Sequence, residues 1–226
     1  MVSLYKKSAL KIPFQFEERR PLFLSQFLLV PEFYQNHGPE LDLSALFKND
    51  RPVFVEYCSG NGQWIANRAK ASLDCNWIAV EKDFERARKI WLKAKNGNLG
   101  NLFVVFGEAF CFTRHYLKPF SVAGAFINFP DPWPKRRHAK KRLVSAPFLK
   151  LLQEKMQKEA LLTMVTDHEK SVPLMAKAAL ESSFKALFPD PYFINELPEY
   201  GLSFFEQLFR GKGGKIHYLQ FSNSFS

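Results

Sequence analysis

From Val53 onward, short apolar runs alternate with stretches of helical spacing, and this alternation most constrains what the chain can fold into. The run 53-VFVEYC-58 meets a turn, 59-SGNG-62, and then the helical stretch 63-QWIANRAKA-71. The pattern repeats with 76-NWIAVE-81 and 83-DFERARKIWLKAK-95. It continues through the strands 102-LFVVF-106 and 123-AGAFINF-129, the helix 146-APFLKLLQEKMQK-158, the strand 160-ALLTMVT-166 and the helix 172-VPLMAKAALESSF-184. Two last strands are predicted near 192-YFINEL-197 and 215-KIHYLQF-221. Strands this apolar are buried on both faces, which predicts an α/β fold: a doubly wound, mostly parallel seven-stranded sheet with helices on both faces. Ligands of such sheets lie beyond the carboxyl ends of the strands, so the residues just after each strand are the ones to read.

Residues 1–48 lack the pattern and spread Lys6, Lys7, Lys11, Arg19 and Arg20 among aromatics. We expect them to form a basic, aromatic, partly flexible extension, followed by one domain over residues 49–226. With 226 residues, 46% of them hydrophobic, the chain can bury a full core. Its net charge of +10 favours a polyanionic partner. Cys58, Cys75 and Cys111 are odd in number and scattered, which suggests neither a disulfide framework nor a Cys-x-x-Cys metal pair. A reducing, cytoplasmic setting is expected. His37, His115, His138, His168 and His217 show no metal spacing, so no metal is expected. The run 27-FLLV-30 is too short to cross a membrane, and no membrane partner is expected. The absence of a Gly-x-Ser-x-Gly elbow argues against a serine hydrolase.

The first strand ends in Glu56-Tyr57-Cys58-Ser59-Gly60-Asn61-Gly62. Glycines let backbone approach a ligand, although an ordinary strand-to-helix turn would read the same. The second strand ends in Glu81, close to the roughly 20-residue offset at which an acidic side chain accepts ribose hydroxyls. A dinucleotide fingerprint wants a third small residue, and Ile65 stands there instead. Glu56 before the turn repels phosphates but suits an ammonium group. Together these features favour S-adenosylmethionine over a nicotinamide dinucleotide. The third strand ends in Gly107-Glu108-Ala109, where Glu108 can bond an adenine amine and Ala109 leaves room for the ring. Glu108 alone would read as a surface carboxylate; three acidic strand ends in succession do not.

The fourth strand runs into Asn128-Phe129-Pro130-Asp131-Pro132-Trp133. Prolines on both sides of Asp131 restrict its backbone, and a held carboxylate beside an aromatic plate can grip a planar base. Lys135, Arg136, Arg137, Lys140, Lys141 and Arg142 follow at once and suit the phosphates of a polynucleotide.

The segment 129-FPDPWPKRRHAKKRLV-144 resembles the signature of the bacterial tRNA (guanine-N7)-methyltransferases, and the resemblance runs from about residue 53 to residue 221. It implies the Rossmann-like class I methyltransferase fold, S-adenosylmethionine as methyl donor, tRNA as partner and a variable-loop guanine as target. It assigns Glu56, Gly60, Gly62, Glu81, Glu108, Ala109 and Asp131 to the cofactor, with Asp131 also catalytic. Lys135 and Asp167 fall on substrate-binding positions. The stretch 203-SFFEQ-207 is similar to a Thr-x-aromatic-Glu motif, which places Ser203, Phe204, Phe205 and Glu206 by the substrate. Arg136, Arg137, Lys140, Lys141 and Arg142 would hold the tRNA backbone.

Three positions depart from the family pattern. Cys58 stands where the first glycine of the cofactor loop is usual, Glu108 replaces an aspartate, and Ser203 replaces a threonine. Guanine N7 has a lone pair and no proton, so Asp131 is expected to orient the base and to stabilise the cation that forms. A general-base role for Asp131 is the alternative. Rival functions are an amino-group methyltransferase, which the loose echo of an Asn/Asp-Pro-Pro-aromatic motif suggests, and a non-catalytic RNA-binding protein with a degenerate methyltransferase fold.

Overall fold

The computed structural model describes residues 6, 10–11, 20–30, 37–201, 211 and 213–224. They fall into two compact units, Met1–Lys118 and Pro119–Ser226.

The first unit contains β1 (Leu22–Leu24), β2 (Phe27–Val30), α1 (Leu43–Phe47), β3 (Val53–Tyr57), α2 (Gln63–Ala71), β4 (Asn76–Glu81), α3 (Phe84–Asn96), β5 (Leu102–Gly107) and α4 (Ala109–Tyr116). Its strands are ordered β1-β2-β5-β4-β3. Only the β1–β2 pair is antiparallel; β2, β5, β4 and β3 run parallel. Every residue of β4 is buried, as expected of a strand covered on both faces. Ile65 and Ala69 of α2, Ala87, Ile90 and Ala94 of α3, and Phe112 of α4 are sealed from solvent. Register pairs Tyr57 with Val80 and Glu81 with Phe106, so β3, β4 and β5 end at one edge.

The strands β1 and β2 lie in the segment read as an irregular extension. Gly107 makes room for β2: a Cβ there would lie 2.7 Å from Val30 Cβ and 2.8 Å from Val30 O. The helix α4 was not predicted. Its sequence, AFCFTRHY, is poor in strong helix formers. The carboxylate of Glu108 starts it by accepting from the backbone N–H groups of Phe110 and Cys111.

The second unit contains β6 (Val122–Asn128), α5 (Ala146–Lys155), β7 (Met156–Thr166), α6 (Val172–Glu181), β8 (Phe184–Ala186) and β9 (His217–Asn223). Its strands are ordered β6-β7-β9-β8; β6 and β7 are parallel, and β9 is antiparallel to both of its neighbours. The core packs Phe148, Leu149 and Leu152 of α5 and Ala179 of α6 with Leu162 and Met164 of β7 and Leu219 and Phe221 of β9.

The doubly wound α/β class stands as expected, with nine strands named in place of seven. The strand expected near residues 192–197 is reduced to a single bridge, Ile194 to Tyr218. Tyr192 turns the chain with φ 69°, which an extended strand does not tolerate. The strand on the outer side of β9 is β8, whose three residues are too few to show a period.

Candidate functional site

The loop after β3 is built around Glu81. Gly60 N–H donates to Glu81 Oε2 at 2.7 Å, and Asp83 N–H donates to Oε1 at 2.9 Å. One carboxylate at the end of β4 thereby fastens both the glycine loop and the entry to α3. Glu81 is buried, and burial raises its pKa against the pull of those two N–H donors. Each carboxylate oxygen carries two lone pairs, so acceptor capacity remains for hydroxyl groups.

The loop is further tied by Ser59 Oγ donating to Glu56 O at 3.1 Å and Gly62 N–H donating to Ser59 O at 2.9 Å. Glu56 lies at 1% exposure in the strand beneath. Cys58, Gly60 and Gly62 have φ of 60°, 56° and 71°. Cys58 therefore occupies the left-handed region that glycine takes without strain, which gives a physical reason for a glycine preference there. Gly62 is needed for packing as well as conformation: a Cβ would meet Ile90 Cγ1 of α3 at 2.6 Å.

Glu108 is half-buried and is the N-cap of α4, with Oε2 on Phe110 N–H at 2.7 Å and on Cys111 N–H at 3.1 Å. The neighbouring Ala109 is the first residue of that helix. Glu56, Glu81 and Glu108 thus come from the ends of three adjacent parallel strands in one unit. This set offers acceptors to ammonium, hydroxyl and amine groups and nothing that neutralises a pyrophosphate.

In the second unit, β6 gives way to a looped segment with two left-handed residues, Phe129 at φ 48° and Trp133 at φ 39°. Phe129 N–H donates to Val165 O at 2.8 Å and anchors the segment to β7. Asp131 between its prolines is exposed, as are Lys135, Arg137, Lys140 and Lys141. A 3-10 turn spans Arg136–Lys141.

Part of the basic cluster serves the loop itself. Arg142 donates through Nε and Nη2 to Trp133 O at 3.1 and 3.0 Å. The ammonium of Lys141 lies 4.8 Å from the Trp133 ring centroid, and His138 presents an edge to the same ring at 5.4 Å. The motif therefore closes on its tryptophan, a folding-back that charge counting missed.

Asp167 is half-buried just after β7, where Thr166 Oγ1 accepts from His168 N–H at 3.1 Å. The buried His217, which the sequence reading left aside, has its pKa lowered by burial, while Glu169 and Asp167 pull it the other way. Asn195 Nδ2 lies 3.1 Å from His217 Nδ1. Ser203, Phe204, Phe205 and Glu206 lie outside the described residues.

A further cluster in the first unit had no linear signature. His37, Cys111 and His115 bring their ligand atoms within 4.8 Å of one another. Cys111 and His115 are four apart on α4, and His37 comes from a distant segment, so spacing alone did not reveal them.

A family model described as "Putative methyltransferase" matches residues 50–219. The tRNA (guanine-N(7)-)-methyltransferase of Chlamydia felis is 41% identical over 218 residues, 96% of this chain and 96% of that protein. Its counterpart from Chlamydia abortus is 39% identical over 219 residues, 96% of this chain and 97% of that protein. Among solved structures, the 16S rRNA methyltransferase KamB superposes with TM-score 0.59 at 14% identity, covering 83% of this chain and 96% of that one. An S-adenosylmethionine-dependent methyltransferase from Aquifex aeolicus superposes with TM-score 0.54 at 13% identity, covering 80% and 89%. At such identities the structural likeness shows the fold alone.

Proposed function

Because this chain belongs to the tRNA (guanine-N7)-methyltransferase family, we propose that it methylates N7 of a guanine in the tRNA variable loop, using S-adenosylmethionine. The observation that carries this reading is near-full-length likeness to relatives of that name, in a chain that keeps the Pro-Asp-Pro-Trp loop and its cations.

Bound S-adenosylmethionine supplies an electrophilic methyl group on a sulfonium. In this reading Glu81 accepts the ribose hydroxyls while its backbone donors hold the carboxylate still. Glu56 meets the ammonium end, directly or through water, and Glu108 and Ala109 frame the adenine. Gly60 and Gly62 shape the loop, and the family pattern gives Asp131 to the cofactor as well as to the base. The donor set fits the group: its buried carboxylates suit a cofactor with hydroxyls and an amine but no phosphate.

Asp131 accepts from the N1–H and amino group of guanine and stabilises the ring cation formed on methylation. No proton has to leave N7, so alignment supplies most of the rate. Lys135 and Asp167, with Ser203, Phe204, Phe205 and Glu206, complete the substrate set. Arg136, Arg137 and Lys140 meet phosphates, and Lys141 and Arg142 add charge while bracing Trp133. A cytoplasmic setting goes with a tRNA substrate.

The test is methyl transfer from labelled S-adenosylmethionine to unmodified tRNA, followed by nucleoside analysis. 7-Methylguanosine is expected, and it should vanish when the variable-loop guanine is replaced. A methylated amine as product would move the chain to the amino-group class. No transfer together with no cofactor binding would leave the degenerate, RNA-binding reading.

A further inference from the structure

We propose that His37, Cys111 and His115 form a binding site for one Zn2+ ion, with Cys111 Sγ, His37 Nε2 and a ring nitrogen of His115 as ligands. The site is independent of the methyl-transfer reading and lies wholly within the first unit.

The argument begins with α4. Residues four apart on a helix share a face, so Cys111 and His115 project together from successive turns. His37 reaches the same point from 74 positions away and sets Nε2 3.6 Å from Cys111 Sγ. In a tetrahedral zinc site, bond lengths near 2.0 Å to nitrogen and 2.3 Å to sulfur put the two ligand atoms about 3.5 Å apart. That edge of the tetrahedron is already present.

His37 is also set up from behind. Its Nδ1 lies 3.1 Å from the Tyr116 hydroxyl. With Nδ1 protonated and donating to Tyr116, the Nε2 lone pair faces the thiol. An outer hydrogen bond of this kind orients most metal-binding histidines. The His37 and His115 rings stack at 4.2 Å and 21°. Parallel rings do not aim at one point, so His115, the half-buried member, must rotate to bring in its nitrogen. Ligand atoms at most 4.8 Å apart must close to the tetrahedral edge of about 3.3–3.5 Å, a movement of up to about 1.5 Å.

One thiolate and two imidazoles suit zinc, and three protein ligands leave the fourth position to water. The step balances without an oxidant: a sulfur–zinc bond forms, the Cys111 S–H bond breaks, and its proton passes to solvent. The bound ion would fasten residue 37 to α4, whose first turn Glu108 caps.

The experiment uses the full chain, stripped with chelator and titrated with Co2+ as a spectroscopic probe. The expected result is one equivalent bound, with a thiolate-to-cobalt charge-transfer band that Zn2+ displaces. Cys111→Ser should abolish the band, and Cys75→Ser should leave it intact. His115→Gln should weaken binding by more than Tyr116→Phe, for which loss of an outer partner predicts about 10-fold. A folded protein that binds Co2+ without the band, or keeps the band in Cys111→Ser, overturns the proposal and leaves a plain thiol–imidazole hydrogen bond. Should Cys111→Ser fail to fold, zinc protection of Cys111 from alkylation in the unaltered chain decides. Unprotected Cys111 with bound zinc also overturns the site.

Discussion

The strand-end loop of the first unit and the Pro-Asp-Pro-Trp loop of the second are held by opposite means. The first is buried and acidic, and its key carboxylate is engaged by backbone: Glu81 holds Gly60 and Asp83 N–H groups at 2.7 and 2.9 Å. The second is exposed and basic, and it is closed by cations gathered on one tryptophan, with Arg142 on the Trp133 carbonyl and Lys141 over its ring. A buried anion with fixed donors is rigid and costly to alter. An exposed cationic loop is held by weaker, screened interactions and can adjust to a large polyanion. The contrast predicts that changes in the first loop act on the cofactor and on stability, whereas changes in the second act on tRNA and turnover.

The largest effect is expected at Asp131. Asp131→Asn should lower turnover by about 100-fold, the scale for losing one positioned electrostatic partner, and lower cofactor affinity far less. Steady-state methylation beside calorimetric cofactor titration measures both. An equal fall in cofactor affinity would give Asp131 to the first kind of loop and break the comparison.

Glu81→Gln comes next. An amide cannot accept from both Gly60 and Asp83 N–H groups, and a charge-assisted bond contributes about 1.5–3 kcal/mol, so cofactor affinity should fall about 10- to 100-fold. A pH signature accompanies it. Burial raises the Glu81 pKa, so folding favours its neutral form. Its favourable contribution is present in acid and is lost as pH rises from the ordinary carboxylate range through the raised value. Glu81→Gln has no such titration and should gain on the natural chain across that window in denaturant melts. Parallel pH curves would remove the burial argument.

A smaller effect separates the cations from one another. Lys140→Ala should raise the apparent KM several-fold and lower the salt slope by about 0.7–0.9, the value of one phosphate contact, with kcat retained. Arg142→Gln, which strips two donors from Trp133 O, should instead lower kcat. Identical KM effects for the two would mean that Arg142 faces tRNA rather than bracing the loop.

How much of this was legible depended on whether the signal was periodic and local. The strands β3 to β7 and the helices α2 and α3 announced themselves through apolar runs and spacing, and Glu81 through its place after a strand. The strand β2 did not, because its partner β5 and the glycine that admits it, Gly107, lie far along the chain. The helix α4 was hidden by aromatics and revealed only by its cap. Arg142 counted as one more positive charge until its geometry tied it to Trp133. His37, Cys111 and His115 met through tertiary folding alone.

Cys58→Gly is the mildest change and the sharpest on loop rigidity. At φ 60° a side chain costs roughly 1–2 kcal/mol relative to glycine, and the greater backbone freedom of glycine when unfolded returns about 0.5–1 kcal/mol of that. The net gain should be at most about 1.5 kcal/mol, a rise in Tm of no more than about 3–6 °C for a chain of this size. Cofactor affinity should change by less than a factor of two, because Glu81 and the Ser59 bonds hold the loop in either case. A tenfold gain in affinity would show that the cysteine sets the loop away from its binding shape, and that the backbone donors on Glu81 do not suffice to hold it.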